Sequence, residues 1–428
     1  MDLKGVNILL DGYNLGLSKG TGIKRYGMTL IEALGVLGAD INVLFSSRVA
    51  GNPIIDEVTF FESTGEPKND DRLRLVGTIK DLLIAAARAP FGISQKAKRM
   101  SFGEVVLKSA QWRDTYRSAN IFAVRDCYSV AIALYQIFGL KTVINMPQKV
   151  DIFHATCPLP IKIRKARKIT TVHDLIPLRL PYTTLDDKNL FYKTVRSSIE
   201  TSDLIITPSE HTKKDILDIF PTNPDKISVT SEPVSIKPVD EHDRIPLELY
   251  LRKYALQPNE YVLFVGAIEP KKNIVRLIDA YSLIDTDLPL VIAGKKAWLW
   301  EDEIGGRNIK NLRLLGHVSD EELRYLYSGA RCFVFPSLYE GFGLGPLEAM
   351  TCGCPVIASN AASLPEVCGD AALYVDPYDI NDIRGKIETL ISDPQLRAKL
   401  SEAGKERAKL FSMENYVERL YEAYSKVL

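Results

Sequence analysis

Short apolar runs rich in β-branched residues alternate with amphipathic stretches of helical period along almost the whole chain, and this alternation restricts the fold more than any other feature. Strands of a parallel sheet are buried on both faces, so they read as continuous apolar runs, and they are joined by helical crossovers. Residues 6–10, 42–45, 152–154, 168–172, 204–207 and 227–230 read as strands of one such sheet. A polar, proline-containing passage at 233–246 interrupts the pattern. It restarts with 261–265, 290–293, 309–315, 332–336 and 356–358. The expectation is an α/β chain of two Rossmann-like, doubly wound domains, residues 1–238 and 239–408, facing a cleft. A last helix, 409–428, has Ser412 as its cap and an apolar stripe of Tyr416, Val417, Leu420, Tyr421, Tyr424 and Val427 that must pack on something, with the first domain as the expected surface.

Charge excludes some partners. The 54 Lys+Arg balance 54 Asp+Glu, which excludes a generally basic nucleic-acid binder, and 46% apolar content is too high for a disordered chain. Neutrality is a cancellation, because residues 1–240 carry 32 Lys+Arg against 26 Asp+Glu and residues 241–428 carry 22 against 28. The basic surplus is concentrated in 72–125, with eleven Lys/Arg against three acids and aromatic residues between them. That insertion reads either as helices packed on the body or as a face resting on anionic lipid. The longest apolar-rich stretch, 130–140, contains Gln136 and Gly139 and falls short of the ~20 residues that span a bilayer. The N-terminus also lacks the basic-then-apolar layout of a secretory signal. Six scattered cysteines lack zinc-ligand or disulfide-scaffold spacing, and Cys352-Gly353-Cys354 reads as a pair of buried thiols, so a reduced cytoplasmic setting is expected.

The densest chemistry lies in Pro336-Ser337-Leu338-Tyr339-Glu340-Gly341-Phe342-Gly343-Leu344-Gly345-Pro346-Leu347-Glu348. A buried strand ends, a loop of alternating glycines follows, and Pro346 suits the first position of a helix. Free N–H groups and the positive end of a helix dipole suit phosphate oxygens. Glu340 and Glu348 flank the loop. Carboxylates so close to a diphosphate need hydrogen-bond donors, and sugar hydroxyls provide them, which suggests a sugar nucleotide. At a second strand end, Gly266 is followed by Glu269-Pro270-Lys271-Lys272-Asn273, again suited to phosphate.

This pattern, continued by Gly353-x-Pro355-Val356 and Pro365-Glu366-Val367, resembles the C-terminal motif of family 4 retaining glycosyltransferases (glycosyl transferases group 1), two-domain enzymes of the GT-B fold, and the resemblance runs over most of the chain. It implies that Glu340 holds donor-sugar hydroxyls, that the amides of Gly341, Phe342, Gly343 and Leu344 contact sugar and diphosphate, and that Glu348 holds the ribose. Lys272 aligns with the family's diphosphate lysine. The family's commoner Arg after the glycine is Ala267 here, so Lys271 would share the charge. The Lys295 turn and the main chain around Val318 resemble segments lining the donor cleft. In the first domain the Gly20-Thr21-Gly22-Ile23-Lys24 turn resembles the loop near donor phosphate and acceptor, with Gly22 the better match. His173 in Val172-His173-Asp174 resembles the strand-ending histidine that contacts the donor sugar or stabilises the transition state, and His154 resembles a further position facing the cleft. Ser209 reads as a helix cap.

The resemblance thus implies a retaining hexosyltransferase of surface polysaccharide assembly, such as lipopolysaccharide O-antigen or exopolysaccharide. It would use a nucleoside diphosphate sugar, with GDP-mannose as the first candidate, and a saccharide or polyprenyl-diphosphate-linked acceptor. Neither a cofactor nor a metal is expected, since Asp285-x-Asp287 precedes a strand where the metal-binding motif of single-domain glycosyltransferases follows one. Rhamnosyl, galactosyl or glucosyl transfer from dTDP- or UDP-sugars stays open, as does a sugar-nucleotide epimerase of the same fold. A dinucleotide oxidoreductase is disfavoured because Gly20-x-Gly22 lacks the third glycine. The setting implied is the cytoplasm, including the inner face of the membrane.

Overall fold

The computed structural model describes residues 2–16, 22–47, 60, 95–100, 119–240, 242–295 and 311–428. The apolar runs of the first half pair into an eight-stranded sheet in the order Ile227–Val229, Leu204–Thr207, Arg167–Thr171, Ile152–Ala155, Asn7–Asp11, Asp40–Ser46, Ala119–Val124, Lys98–Arg99. All neighbours are parallel except the last pair. The second half forms six parallel strands in the order Leu312–Gly316, Leu290–Ala293, Val262–Val265, Cys332–Phe335, Val356–Ser359, Ala372–Val375. This is the doubly wound α/β class expected from the alternation. Residues 119–124, 142–145, 161–163 and 372–375 are strands that the alternation did not single out. Two of these, Thr142–Asn145 and Ile161–Ile163, join Gln95–Lys96 in a small third sheet. Most of the basic 72–125 insertion lies outside the described residues. Among the described residues no helix is long and apolar enough to cross a membrane.

Both large sheets have a point where the chain reverses its winding direction, and open α/β sheets leave a crevice there, beyond the C-terminal strand ends. In the second sheet this point falls between Val262–Val265 and Cys332–Phe335. The Lys271-Lys272 turn follows one of these strands and the glycine loop follows the other. In the first sheet the point falls between Asn7–Asp11 and Ile152–Ala155, with the His173 strand next beyond. Four helices bear on the crevice and on the packing of the two domains: α1 (Gly22–Val36), α2 (Glu210–Ile219), α3 (Leu344–Thr351) and α4 (Met413–Ser425).

The α4 stripe buries Tyr416, Leu420, Ala423 and Tyr424 in the core of the first sheet, with Ile8, Leu30, Leu34 and Ile206. Each large apolar side chain so buried contributes about 1.5–3 kcal/mol. Ser412 caps this helix by accepting from the Asn415 N–H at 3.2 Å. The chain therefore crosses from the second sheet back to the first at its end. All six cysteines are free, five of them buried, Cys352 and Cys354 among these.

Candidate functional site

Asn273 sets up the basic turn. Its backbone is left-handed at φ 60°, a conformation asparagine tolerates, and its side-chain amide donates to the carbonyls of Pro336 at 2.9 Å and Pro377 at 2.6 Å. The turn is thereby tied to the end of the neighbouring strand. The Leu338 N–H adds a bond to the Lys271 carbonyl at 2.8 Å. With the two loops tied together, Lys272 Nζ reaches Glu340 Oε1 at 2.6 Å, with only 15% and 12% of the two side chains exposed. The ammonium also lies over the Phe335 ring, 4.8 Å from its centre. Burial alone would push the Glu340 carboxyl up, but the Lys272 and Lys271 ammoniums outweigh it and hold it below the ordinary value. Lys271 itself pairs with Glu269 at 3.5 Å.

The glycine loop turns at Gly343, φ 124°, where a Cβ would meet Leu364 Cδ2 at 2.7 Å. Ser363 Oγ sits within hydrogen-bonding distance of the carbonyls of Glu340, 2.9 Å, and Phe342, 2.5 Å. Helix α3 begins at Leu344, so Pro346 occupies its third position and not its first. That displacement of two residues carries no energetic cost, since N–H groups of a first turn have no intrahelical partner. The N–H groups of Gly341, Phe342, Gly343 and Leu344 donate to no described residue, so the positive helix end and its donors are available to an anion. The Phe342 ring is only 7% exposed and stands edge-on to Phe411 at 5.7 Å, leaving its main chain as the available part.

Across the cleft, the glycine loop meets the first domain at a close seam. A Cβ at Gly341 would collide with the His173 carbonyl, so only glycine permits this approach. Ser209 Oγ donates to the Gly341 carbonyl at 2.7 Å and Thr212 Oγ1 lies 3.1 Å from it. Ser209 also caps α2, as expected, by accepting from the Thr212 N–H at 3.0 Å. Glu366 completes the same helix end from the second domain, accepting from the N–H groups of Glu210 at 2.8 Å and His211 at 3.1 Å.

His173 lies in this seam, 16% exposed, with Tyr26 edge-on at 4.7 Å. Its Nε2 donates to the Thr156 carbonyl at 2.9 Å and its Nδ1 lies 3.6 Å from Glu232 Oε1. Burial opposes a charge on the ring, but Glu232 and the Thr156 carbonyl outweigh it and raise the pKa. Both ring nitrogens thus face acceptors and the imidazolium is favoured. His154 is different. It is fully buried between Tyr424 Oη at 2.5 Å and Thr171 Oγ1 at 2.7 Å, so it belongs to the packing of α4 and does not face the cleft.

Glu348, four residues into α3, is met by the first domain. Arg25 of α1 forms an ion pair with it, and Tyr327 Oη donates to its other oxygen at 3.2 Å. The second Arg25 nitrogen donates to Ser235 Oγ at 3.0 Å. Gly22 opens α1 and is exposed, with open space where a Cβ would be. The Gly266 N–H donates to the Ala293 carbonyl at 2.9 Å, and a Cβ on the facing Gly294 would collide with the Gly266 carbonyl. Lys295 is held by its carbonyl, which accepts from the Ile268 N–H at 2.9 Å. Val318 turns its side chain into the second core at 7% exposure, leaving the main chain for any contact. The structure therefore gathers Lys271, Lys272, Glu340, the glycine loop and His173 at one seam, with Glu348 a helical turn away. Arg25 and Glu232 were not singled out from sequence. Arg25 adjoins Lys24 in the glycine turn, and Glu232 stands just before the polar passage 233–246. Among the described residues no group of three or more His, Cys, Asp or Glu could hold a metal ion.

A family model described as Glycosyl transferases group 1 matches residues 250–407, and one described as Glycosyltransferase Family 4 matches residues 116–237. The O-antigen chain mannosyltransferase B of Escherichia coli is 39% identical over 272 residues, 61% of this chain and 71% of that protein. The serotype-specific mannosyltransferase WbdA of Escherichia coli is 33% identical over 275 residues, again 61% of this chain but only 34% of that protein. Among solved structures, Anabaena HepE in complex with UDP and glucose superposes with a TM-score of 0.65 at 14% identity, covering 98% of this chain and 99% of that one. That likeness shows the GT-B fold.

Proposed function

We propose mannosyl transfer from GDP-mannose as the activity of this chain, which belongs to the group 1 glycosyltransferases. The observation that carries the reading is the Lys272–Glu340 pair, 2.6 Å apart, set beside the free N–H groups of the glycine loop, which meets the His173 main chain across the seam at Gly341. A leaving diphosphate needs positive charge that is already oriented, and Lys272, Lys271 and the helix end provide it without a bound ion. Glu340 can accept from sugar hydroxyls because its carboxyl stays ionised beside two lysines. His173, whose pKa Glu232 and the Thr156 carbonyl raise, would in its protonated form help neutralise negative charge on the donor sugar or diphosphate. The anomeric C–O bond to the diphosphate breaks while the acceptor oxygen bonds to the same face, and the departing phosphate takes the acceptor's proton. Retention of configuration is the outcome.

The relatives' names favour mannose and an O-antigen acceptor. The basic 72–125 insertion supports a saccharide acceptor carried on a polyprenyl diphosphate at an anionic membrane face, a proposal that vesicle sedimentation tests through its dependence on anionic lipid and salt. The donor is tested by a thermal-shift screen of GDP, UDP, dTDP and NAD with and without Mg²⁺, in which the preferred diphosphate raises the Tm. GDP should stabilise most, equally without Mg²⁺. Stabilisation by NAD alone would overturn the reading, as would turnover of UDP-sugars without an acceptor, which marks an epimerase. Glu340→Ala should abolish transfer.

A further inference from the structure

A second concave site lies at the opposite end of the first sheet, where the strands Arg167–Thr171 and Leu204–Thr207 begin. Lys141, Lys162 and Lys168 line a cavity of about 360 Å³ there, with Thr201 and Asp203. Lys168 is 8% exposed, and its ammonium makes one long hydrogen bond, 3.4 Å, to the Leu159 carbonyl. Lys141 Nζ donates to Thr201 Oγ1 at 3.0 Å. The Lys162 side chain is exposed and makes no hydrogen bond or ion pair with the described residues. The one carboxylate in the lining, Asp203, is already engaged: one oxygen accepts from Arg167 at 3.1 Å and the other from the Lys168 main-chain N–H at 2.7 Å.

Three ammoniums therefore line one cavity whose one carboxylate, Asp203, is already engaged by Arg167 and a main-chain N–H, with Glu200 acting on Lys141 from outside the lining, and Lys168 is more than nine-tenths buried. Such an arrangement is costly unless something neutralises it. Burial, and next the Lys141 charge, push the Lys168 ammonium down to about 8. The floor is apolar, with Phe153 and Ile161 fully or almost fully buried beneath. We propose that this cavity binds a phosphate-bearing small molecule. Its dianionic phosphoryl group would lie among Lys141, Lys162 and Lys168, with the carbon body on Phe153 and Ile161; the Thr201 hydroxyl, which donates to the Ser197 carbonyl at 2.7 Å, orients Lys141 by accepting from it. The site shares no residue with the seam and does not rest on the donor reading.

The test is calorimetric titration of the full chain with inorganic phosphate and, separately, with a hexose 6-phosphate. Wild type is compared with the Lys141→Gln/Lys162→Gln double variant, whose changes lie at the rim, and with Lys168→Met. Unfolding curves serve as the control for folding. Both variants should lose affinity by about tenfold or more, as expected when charge-assisted bonds to phosphate are removed, while any binding at the glycine loop is unchanged. Wild type should bind the hexose phosphate more tightly than the free ion. A tungstate-soaked crystal should place the anion against Lys168. Indistinguishable isotherms in wild type and the rim variant, or tungstate only at the glycine loop, would overturn the site. Equal affinity for the two ligands would overturn the role of the apolar floor.

Discussion

Replacing Lys272 by methionine removes the ammonium while keeping the chain length, and the consequence falls on Glu340. That carboxylate, 12% exposed, loses the partner 2.6 Å away and keeps only Lys271, which Glu269 already engages at 3.5 Å. Breaking a buried pair by removing one partner costs about 3–5 kcal/mol. The remaining lysine and the residual exposure bring the expectation to about 2–3 kcal/mol at pH 7.5. For a domain of this size that lowers the Tm by about 4–12 °C. In the wild type the Glu340 pKa lies below its ordinary 4.5, so the pair's contribution is present above that value and is lost as pH falls through the lower folded one. In Lys272→Met burial is left as the dominant influence and the folded pKa rises above 4.5. Acidification then relieves the variant by protonating the buried carboxylate while it does nothing for the wild type. The stability gap should therefore narrow from pH 7.5 to about 5, read by urea unfolding followed by tryptophan fluorescence. A gap that stays constant with pH would refute the coupling, and no gap at pH 7.5 would refute the burial argument. Transfer by the same variant should fall about 10²–10³-fold, the scale of losing one oriented electrostatic group.

Burial pushes the His154 ring down to about 3, so below its unfolded pKa of about 6.5 the unfolded chain binds a proton that the folded chain does not. Its contribution to stability should fall by about 1.4 kcal/mol per pH unit below that point, reaching about 2 kcal/mol at pH 5, and His154→Gln should flatten that slope in urea titrations. At the seam, Gly341→Ala drives a Cβ into the His173 carbonyl and should displace the loop, lowering kcat about 10²-fold with the second domain still folded by circular dichroism. Arg25→Ala leaves Glu348 with the Tyr327 hydroxyl alone and should cost about 1–3 kcal/mol in chemical denaturation, with Arg25→Lys recovering part of it.

What could be read from the chain was what lies close together along it. The glycine loop, both glutamates and the start of α3 occupy fewer than fifteen consecutive residues, and the Lys271-Lys272 turn is equally local, so residue type and spacing sufficed to predict their proximity to one strand end each. Both sheets were legible because a strand buried on two faces must be apolar throughout. The strand 142–145 escaped because it belongs to a small sheet with an exposed side, and its run Thr142-Val143-Ile144-Asn145 is short and mixed. Pairings across the seam left no trace at all. Nothing in Ser231-Glu232-Pro233 announces a histidine fifty-nine residues earlier, and His154 matched a cleft position by local context although the partner that buries it, Tyr424, lies 270 residues away.

The two glutamates also differ in a way that spacing alone hides. Glu340 takes its cation from Lys272, a neighbour on the same sheet, so the pair survives any separation of the domains. Glu348 takes its cation from Arg25 on the other domain, and Arg25 also holds Ser235 in the passage between domains. Opening the cleft must therefore break the Arg25–Glu348 pair, the Ser209–Gly341 bond and the Glu366 cap of α2, while the basic turn and the glycine loop stay assembled. One half of the site is built into a sheet edge and the other half exists only when the domains are closed. An Arg25→Ala variant that binds GDP as before yet turns over slowly fits that division, whereas one that loses GDP affinity to the same degree as Lys272→Met would contradict it.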